Sequence, residues 1–178
     1  MKSMASEIAP SPMRPKNPIA VTWVDRALSA GVVAIMVATC IAIVQGRDEW
    51  HLMPVNVWAH LSTIMAALVL TPVMLLRPRG DRLHRTLGKV WLVIMTVTAA
   101  ITFDIQLIRE GQFSPIHILS LLTLLAVPQI YWTARTHQPG KHRRAVRGVA
   151  LGGLLIAGFF TFPFNRMLGQ WLMGGPGI

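Results

Sequence analysis

The chain has 178 residues, of which 53% are hydrophobic and 13% charged, and its mean hydropathy is +0.51. This composition excludes an ordinary soluble domain, because such domains carry about 25% charged residues. The net charge of +10 is compatible with nucleic-acid binding, but its distribution between apolar segments favours a membrane topology, and we expect no nucleic-acid partner.

Five apolar runs are each near the 20 residues that a helix needs to span a bilayer. They cover residues 27–45, 56–76, 88–108, 115–133 and 148–168. The sequence therefore predicts an all-α polytopic membrane protein with a single transmembrane domain over 23–178, preceded by a Pro- and Ser-rich tail over 1–22. Cys40, the only cysteine, lies in the first run, which excludes an intramolecular disulfide and a thiolate metal cluster.

Lysine and arginine alternate between the two sides of these runs. They cluster before the first run, between the second and third, and between the fourth and fifth, whereas the other two loops hold only Arg47 and Arg109, each beside acidic residues. Basic loops stay in the cytoplasm. The pattern predicts a cytoplasmic N-terminal tail and a periplasmic C-terminus in a bacterial inner (cytoplasmic) membrane.

Six tryptophans fall near the predicted span ends, which is typical of the aromatic belts at membrane interfaces. They are Trp23, Trp50, Trp58, Trp91, Trp132 and Trp171.

A histidine pattern occurs twice along the chain. His60 begins the second run and His84-Arg85 precedes the third; His117 begins the fourth and His142-Arg143 precedes the fifth. The first run of each unit also contains a proline, at positions 72 and 128. We therefore predict two copies of one helical hairpin, 56–108 and 115–168, which form a four-helix core with the first span as a peripheral helix.

Ionisable side chains within spans are costly and usually mark function. In the predicted topology, His60, Asp104, His117 and Arg166 reach similar depths near the outer surface, so they are expected to form a polar cluster in which Asp104 pairs with Arg166 or Arg109. His84 and His142 are expected at the inner surface.

Several chemistries remain open for these residues, and no catalytic motif decides whether the protein is an enzyme. Paired neutral imidazoles from facing helices can ligate haem iron, His60 with His117 and His84 with His142. Arg85 and Arg143 at the rim would then bind haem propionates. Alternatively, His60, His117 and Asp104 form a zinc set suited to hydrolysis, a histidine ligates a chlorophyll-type pigment, or the side chains are interhelical polar contacts without chemistry.

Residues 56–168 resemble a family of bacterial membrane proteins of unknown function. The resemblance rests on His60 and its apolar run, on the motif His84-Arg85-Thr86-Leu87-Gly88, on His117, and on His142-Arg143-Arg144. The order of the four histidines is also similar to that of the ascorbate-dependent dihaem b-type cytochromes. That similarity implies two b haems, with axial pairs His60/His117 and His84/His142, and electron transport across the bilayer. Here His84 and His142 depart from that class by lying at the membrane edge.

In a competing interpretation, the protein carries out no chemistry of its own. The small size, the lack of a soluble domain and the lack of a catalytic motif are also typical of an accessory subunit of a respiratory or photosynthetic membrane complex. In that interpretation the other subunits and the lipid bilayer are the partners.

Overall fold

The structure, a computed structural model, describes residues 20–105, 115–163 and 166–174. Most of these residues are helical, and none is in a strand. The longer helices are α1 (Trp23–Gln45), α2 (Val55–Leu76), α3 (Arg82–Asp104), α4 (Pro115–Arg135) and α5 (Pro139–Val149). The shorter ones are a 3₁₀ helix (Arg47–Leu52), a π-helix (Ala150–Ile156), α6 (Ala157–Phe159) and α7 (Met167–Met173).

Four helices are long and apolar enough to cross a membrane: α1, α2, α3 and the part of α4 from His117 to Arg135. Their sequences contain many β-branched residues, which have low helix propensity in water. In a bilayer the helix is nevertheless favoured because every backbone group must find a partner within the chain. The all-helical class is confirmed for the described residues, and these four helices agree with a multi-pass membrane protein.

The predicted span over 148–168 corresponds to a helical segment that begins and ends earlier. α5, the π-helix and α6 follow one another from Pro139 to Phe159 without a break. Pro139 starts the segment because its fixed φ suits the first position of a helix. The chain then turns and forms α7, so the helix does not extend to residue 168 as predicted. The predicted third span reaches residue 108, but α3 ends at Asp104 and positions 106–108 lie outside the described residues.

The helices form a closed ring in chain order. α1 packs on α2, α2 on α3, α3 on α4, α4 on α5 and the π-helix, and the π-helix on α1. The buried core of the ring contains Val32, Leu68, Met95 and Leu154. Each of these residues comes from a different member of the ring, so the core joins both predicted hairpins and the first helix.

α1 belongs to this ring, whereas the sequence predicted a peripheral helix. Its Val32 is fully buried in the core, and Ile35 and Thr39 line a cavity on the axis of the ring. Apolar residues lie on all sides of α1, so its sequence did not indicate that one side packs into the ring.

Tryptophan positions follow the aromatic-belt prediction only in part. Trp23 and Trp132 are 77% and 67% exposed, as expected at an interface. Trp91 is instead a core residue at 4%, and its Nε1 donates a 2.8 Å hydrogen bond to Thr71 Oγ1. Trp171 is equally buried, and its Nε1 donates to Glu49 Oε2 at 2.7 Å. A buried indole usually has such a partner.

α7 closes the end of the ring where α1 ends, and two glycines allow its close approach. A Cβ at Gly46 would overlap the ring of Trp171, and a Cβ at Gly169 would overlap the carbonyl oxygen of Phe162. A side chain is tolerated less well at Gly169 than at Gly46, because the Phe162 oxygen belongs to the backbone and cannot rotate away as a side chain can.

We therefore expect Gly169→Ala to lower the thermal midpoint of the purified protein. Overpacking of this kind typically costs about 1–3 kcal/mol, which corresponds to roughly 2–12 °C in a chain of this size. Gly140→Ala is the matched control, because nothing lies within 4 Å of the added Cβ and alanine favours the helix. Equal midpoints for the two variants would contradict the tight contact.

Candidate functional site

The four histidines of the repeat lie at the two ends of the helix ring. His60 is in the second turn of α2 and His117 is near the start of α4, so both are at one end. His84 and His142 are in the first turns of α3 and α5, at the opposite end. In the ring order, α3 separates α2 from α4, and α4 separates α3 from α5. Each predicted pair therefore comes from helices that are not sequential neighbours.

The imidazole of His60 is held by the neighbouring helix α3. Its Nδ1 is 3.3 Å from the carbonyl oxygen of Thr98 and 3.4 Å from the hydroxyl of Thr102. The Thr102 hydroxyl also donates to the same carbonyl at 3.0 Å. A proton on Nδ1 satisfies the contact with the carbonyl, and Nε2 is then the unprotonated nitrogen. His60 also lines the cavity on the ring axis.

His117 is buried and lies against an aromatic ring of α3. It is 7% exposed, and its ring centroid is 5.7 Å from that of Phe103 at an interplanar angle of 46°. Its burial agrees with the expectation of an inward-facing residue at the outer end. Its sequence neighbours at 106–114 lie outside the described residues.

His84 and His142, at the other end of the ring, have no hydrogen bond to each other. His142 Nδ1 is 3.1 Å from the carbonyl oxygen of Ile130, which also accepts from the hydroxyl of Thr133 at 3.1 Å. The Nδ1 of His84 is buried and has no hydrogen-bond partner among the described residues.

Two of the four histidines have a contact of the kind that haem-ligating histidines make. A metal-ligating histidine usually donates its second ring N–H to a carbonyl, which orients the ring and leaves Nε2 for the metal. His60 and His142 both have that contact, whereas the buried Nδ1 of His84 has no partner among the described residues and so lacks it. The space is smaller than a porphyrin requires. The cavity beside His60 has a volume of about 120 Å³, below the roughly 300 Å³ of small ligand pockets. The helices would have to separate locally before a porphyrin fits.

A buried carboxylate at the end of the ring that contains His84 and His142 binds three arginines. Asp25 in the first turn of α1 is fully buried, and its oxygens are 2.9 Å from Arg79, 2.6 Å from Arg143 and 2.9 Å from Arg147. The backbone N–H of Thr22 donates to the same carboxylate at 2.9 Å. Arg79 lies in the α2–α3 loop, and Arg143 and Arg147 lie on α5. This Asp25 cluster therefore joins three parts of the ring.

The two arginines predicted to bind propionates have protein partners. Arg143 donates to Asp25 and also to the carbonyl of Ala20 at 2.7 Å. Arg85 donates to the carbonyl of Gly80 at 2.9 Å and is otherwise exposed. Of the two, Arg85 is the more accessible to an added anionic group.

Asp81 fixes the first turn of α3, where His84 lies. Its carboxylate accepts from the backbone N–H of His84 at 2.6 Å and from Arg77 at 2.6 Å. The backbone hydrogen bond from His84, followed by the bond and charge of Arg77, holds the pKa of Asp81 below its ordinary value. Asp81 is therefore a charged helix cap that stabilises the backbone of His84.

The predicted pairing of Asp104 with Arg166 is absent from the described part of the chain. Asp104 accepts instead from the side-chain amide of Asn56 at 3.0 Å. Arg166 precedes α7, and no ion pair joins it to a carboxylate within the described ranges. The other predicted partner, Arg109, lies outside those ranges. At the end of the ring that contains His60 and His117, these two histidines lie inside the bundle and Asp104 is exposed at its edge.

The zinc alternative has no geometric support in the described residues, where no three His, Cys, Asp or Glu side chains come together as a metal-binding group. His60, His117 and Asp104 lie near one end of the ring but do not form such a group.

The Asp25 cluster was not predicted from the sequence. Its local signal is an acid three residues after Thr22 at the start of an apolar run, which is the pattern of a helix capping box. The arginine partners of Asp25 lie more than 50 residues away in the sequence, so the pattern alone could not identify them. Comparisons with protein families, curated proteins and solved structures give no match to this chain.

Proposed function

We propose that this protein is a b-type cytochrome of the bacterial inner membrane that carries electrons across the bilayer. The axial ligands are His60 with His117 at the outer end and His84 with His142 at the inner end. The observation that carries the proposal is the carbonyl-anchored Nδ1 of His60 and of His142. At each end of the ring, one imidazole is thereby oriented with Nε2 as its coordinating atom.

The proposed topology has five spans, with the N-terminus in the cytoplasm and the C-terminus in the periplasm. The fifth span is the continuous helical segment from Pro139 to Phe159, built from helices of 11, 7 and 3 residues. Its first turns are basic and its later part is apolar, as expected of a helix that enters from the cytoplasmic surface. This orientation places the Asp25 cluster and Arg85 at that surface.

The duplicated hairpin is part of the same proposal. α2 with α3 and α4 with α5 are the two units, and each contains one histidine bonded to a main-chain carbonyl of the other helix in its unit. In each unit a threonine hydroxyl donates to that same carbonyl, Thr102 in the first and Thr133 in the second. The two contacts involve different members of the repeat, since His60 begins its unit whereas His142 begins the second helix of the other unit.

A bound haem would supply one-electron redox chemistry. The chain would orient it: backbone carbonyls of α3 and α4 fix His60 and His142, and Asp81 fixes the turn that holds His84. Arg85 is the side chain best placed to neutralise a propionate, because Arg143 is engaged by Asp25.

The test is an optical spectrum of the purified protein, produced with haem precursor and recorded oxidised and then dithionite-reduced. We expect a Soret band and, on reduction, a b-type α band. A haem-replete preparation without either band would contradict the proposal.

The second candidate is an accessory subunit of a larger respiratory or photosynthetic complex. The observation that favours it is the Asp25 cluster, which fixes the point where the tail meets the bundle: Arg79 and Arg143 both donate to the carbonyl of Ala20. Ala20 and Thr22 are thereby held in one position, as a contact with a neighbouring subunit would need. Purification in mild detergent together with a defined partner, without haem bands, supports this role over the cytochrome.

A further inference from the structure

One end of the helix ring has a large excess of positive charge. This basic end contains His84 and His142, and its described residues include eleven Lys and Arg side chains but only two carboxylates, Asp25 and Asp81. The described charges at the opposite end are two arginines and three carboxylates, Arg47, Arg166, Asp48, Glu49 and Asp104. The excess is therefore confined to one end of the molecule.

Both carboxylates of the basic end are bound by partly buried arginines. Asp25 binds the three arginines of its cluster and Asp81 binds Arg77, through side chains that are 13–24% exposed. The other seven cations of this end are exposed, and none forms an ion pair with a carboxylate in the described part of the chain. They are Arg26, Arg82, Arg85, Lys89, Arg135, Lys141 and Arg144. Seven exposed positive charges thus have no described carboxylate to neutralise them.

The seven exposed cations are distributed around the ring, because they lie on α1, α3, α4 and α5. Two exposed tryptophans lie at the same end, Trp23 in the first turn of α1 and Trp132 in the last turn of α4. Exposed indoles mark the headgroup level of a membrane protein. A partner protein would cover one side of the bundle, whereas lipid headgroups surround it. The distribution of charge therefore favours lipid over an acidic protein as the partner.

α3 and α5 each have a pair of exposed cations followed along the helix by an exposed apolar side chain. On α3, Arg82 and Lys89 are about two turns apart and so lie on the same side of the helix. On α5, Lys141 and Arg144 are about one turn apart. The apolar side chains further along are Val93 and Leu151, which are 63% and 48% exposed. Such an arrangement can contact the headgroup and the acyl chains of one lipid molecule, whereas a free phosphate ion would use the cations alone.

We infer that the basic end binds anionic phospholipids in preference to zwitterionic ones. The phosphate groups are contacted by two pairs of side chains, Arg82 with Lys89 and Lys141 with Arg144. Lys and Arg form charge-assisted hydrogen bonds with phosphate oxygens, and basic residues at a membrane surface attract anionic lipid. A zwitterionic headgroup also carries a cation, which these side chains repel. Arg85 is not needed for this contact and stays available to a haem propionate.

The test is electron paramagnetic resonance of spin-labelled lipids around the full chain, reconstituted in bilayers of phosphatidylcholine. The spectra give the association of labelled phosphatidylglycerol relative to that of labelled phosphatidylcholine. We expect a preference for the anionic lipid of about fivefold at the basic end. The average over both leaflets is then about threefold, because the opposite end has no excess of cations. High salt should weaken the preference by screening. Equal association of the two lipids with the wild-type protein would overturn the inference.

A charge-removing variant and a charge-conserving control locate the site. The first variant has glutamine at all four proposed positions, and we expect its preference for phosphatidylglycerol to fall by at least half. The control exchanges Lys and Arg at the same positions and should keep the wild-type preference. The inference is wrong if the glutamine variant keeps that preference, or if the control loses as much as the glutamine variant. The four positions are Arg82, Lys89, Lys141 and Arg144.

Other occupants of the basic end give different results. If millimolar inorganic phosphate at constant ionic strength abolishes the preference, the cations bind free phosphate, and the lipid assignment is wrong. An acidic protein that co-purifies with the wild type but not with the glutamine variant, without any lipid preference, would also overturn the assignment. The inference requires neither a bound haem nor a particular orientation in the membrane. Optical spectra of the same samples therefore distinguish its failure from a failure of the cytochrome proposal.

Discussion

Replacing Asp25 by asparagine is expected to destabilise the protein by about 3–5 kcal/mol, the usual cost of breaking a buried ion pair from one side. The variant keeps the shape of the side chain but leaves Arg79, Arg143 and Arg147 around a neutral group. These guanidinium groups are largely buried, with side chains 13%, 16% and 24% exposed, and Asp25 is at 0%. The loss corresponds to roughly 6–20 °C in thermal midpoint for a chain of this size.

The control is Asp48→Asn, which removes a carboxylate from an exposed pair. Asp48 is 3.6 Å from Arg47, and the two side chains are 89% and 74% exposed. Such pairs contribute about 0–1 kcal/mol, so the midpoint should move little. Adding Arg147→Gln to Asp25→Asn should recover part of the loss, because it removes one uncompensated charge. If Asp25→Asn and Asp48→Asn have the same midpoint, the cluster is not a stabilising element.

The spans were largely predictable because they depend on length and composition alone. α1, α2, α3 and α4 lie where the apolar runs indicated, and Pro72 and Pro128 remain inside their helices. The segment after Gln138 was harder. Its first turns are basic, so hydropathy placed the start at residue 148, whereas Pro139 starts the helix. Hydropathy detects contact with lipid, and it therefore misses the part of a helix that extends into the headgroups.

Side-chain partners were much less predictable than helices. The sequence placed His60 and His117 at one end and His84 and His142 at the other, because helix direction fixes depth. It could not predict that Asp104 bonds Asn56 rather than Arg166, since that choice depends on the rotation of two helices about their own axes. Trp91 shows the same limit. Its position near a span end indicated the membrane interface, but it lies on the side of α3 that faces the core.

Single histidine variants have the largest expected effect on the proposed function, because an axial ligand cannot be replaced by alanine. With one haem at each end, His60→Ala should remove the outer haem and His142→Ala the inner one. Each variant should then keep about half of the Soret absorbance per protein, since bis-histidine ligation needs both imidazoles. With a single haem, one variant should lose all absorbance and the other none, which identifies the occupied end.

Matched controls for the two ends lie in the connecting segments. His51 is exposed in the 3₁₀ helix after α1, so His51→Ala should leave the spectrum unchanged. His137 is exposed in the turn before α5 and has a φ of 54°. The control there is His137→Asn, because asparagine tolerates that conformation better than alanine. If His60→Ala and His142→Ala both keep the same absorbance as these controls, neither proposed axial pair binds haem, and the contacts of His60 and His142 with main-chain carbonyls serve helix packing.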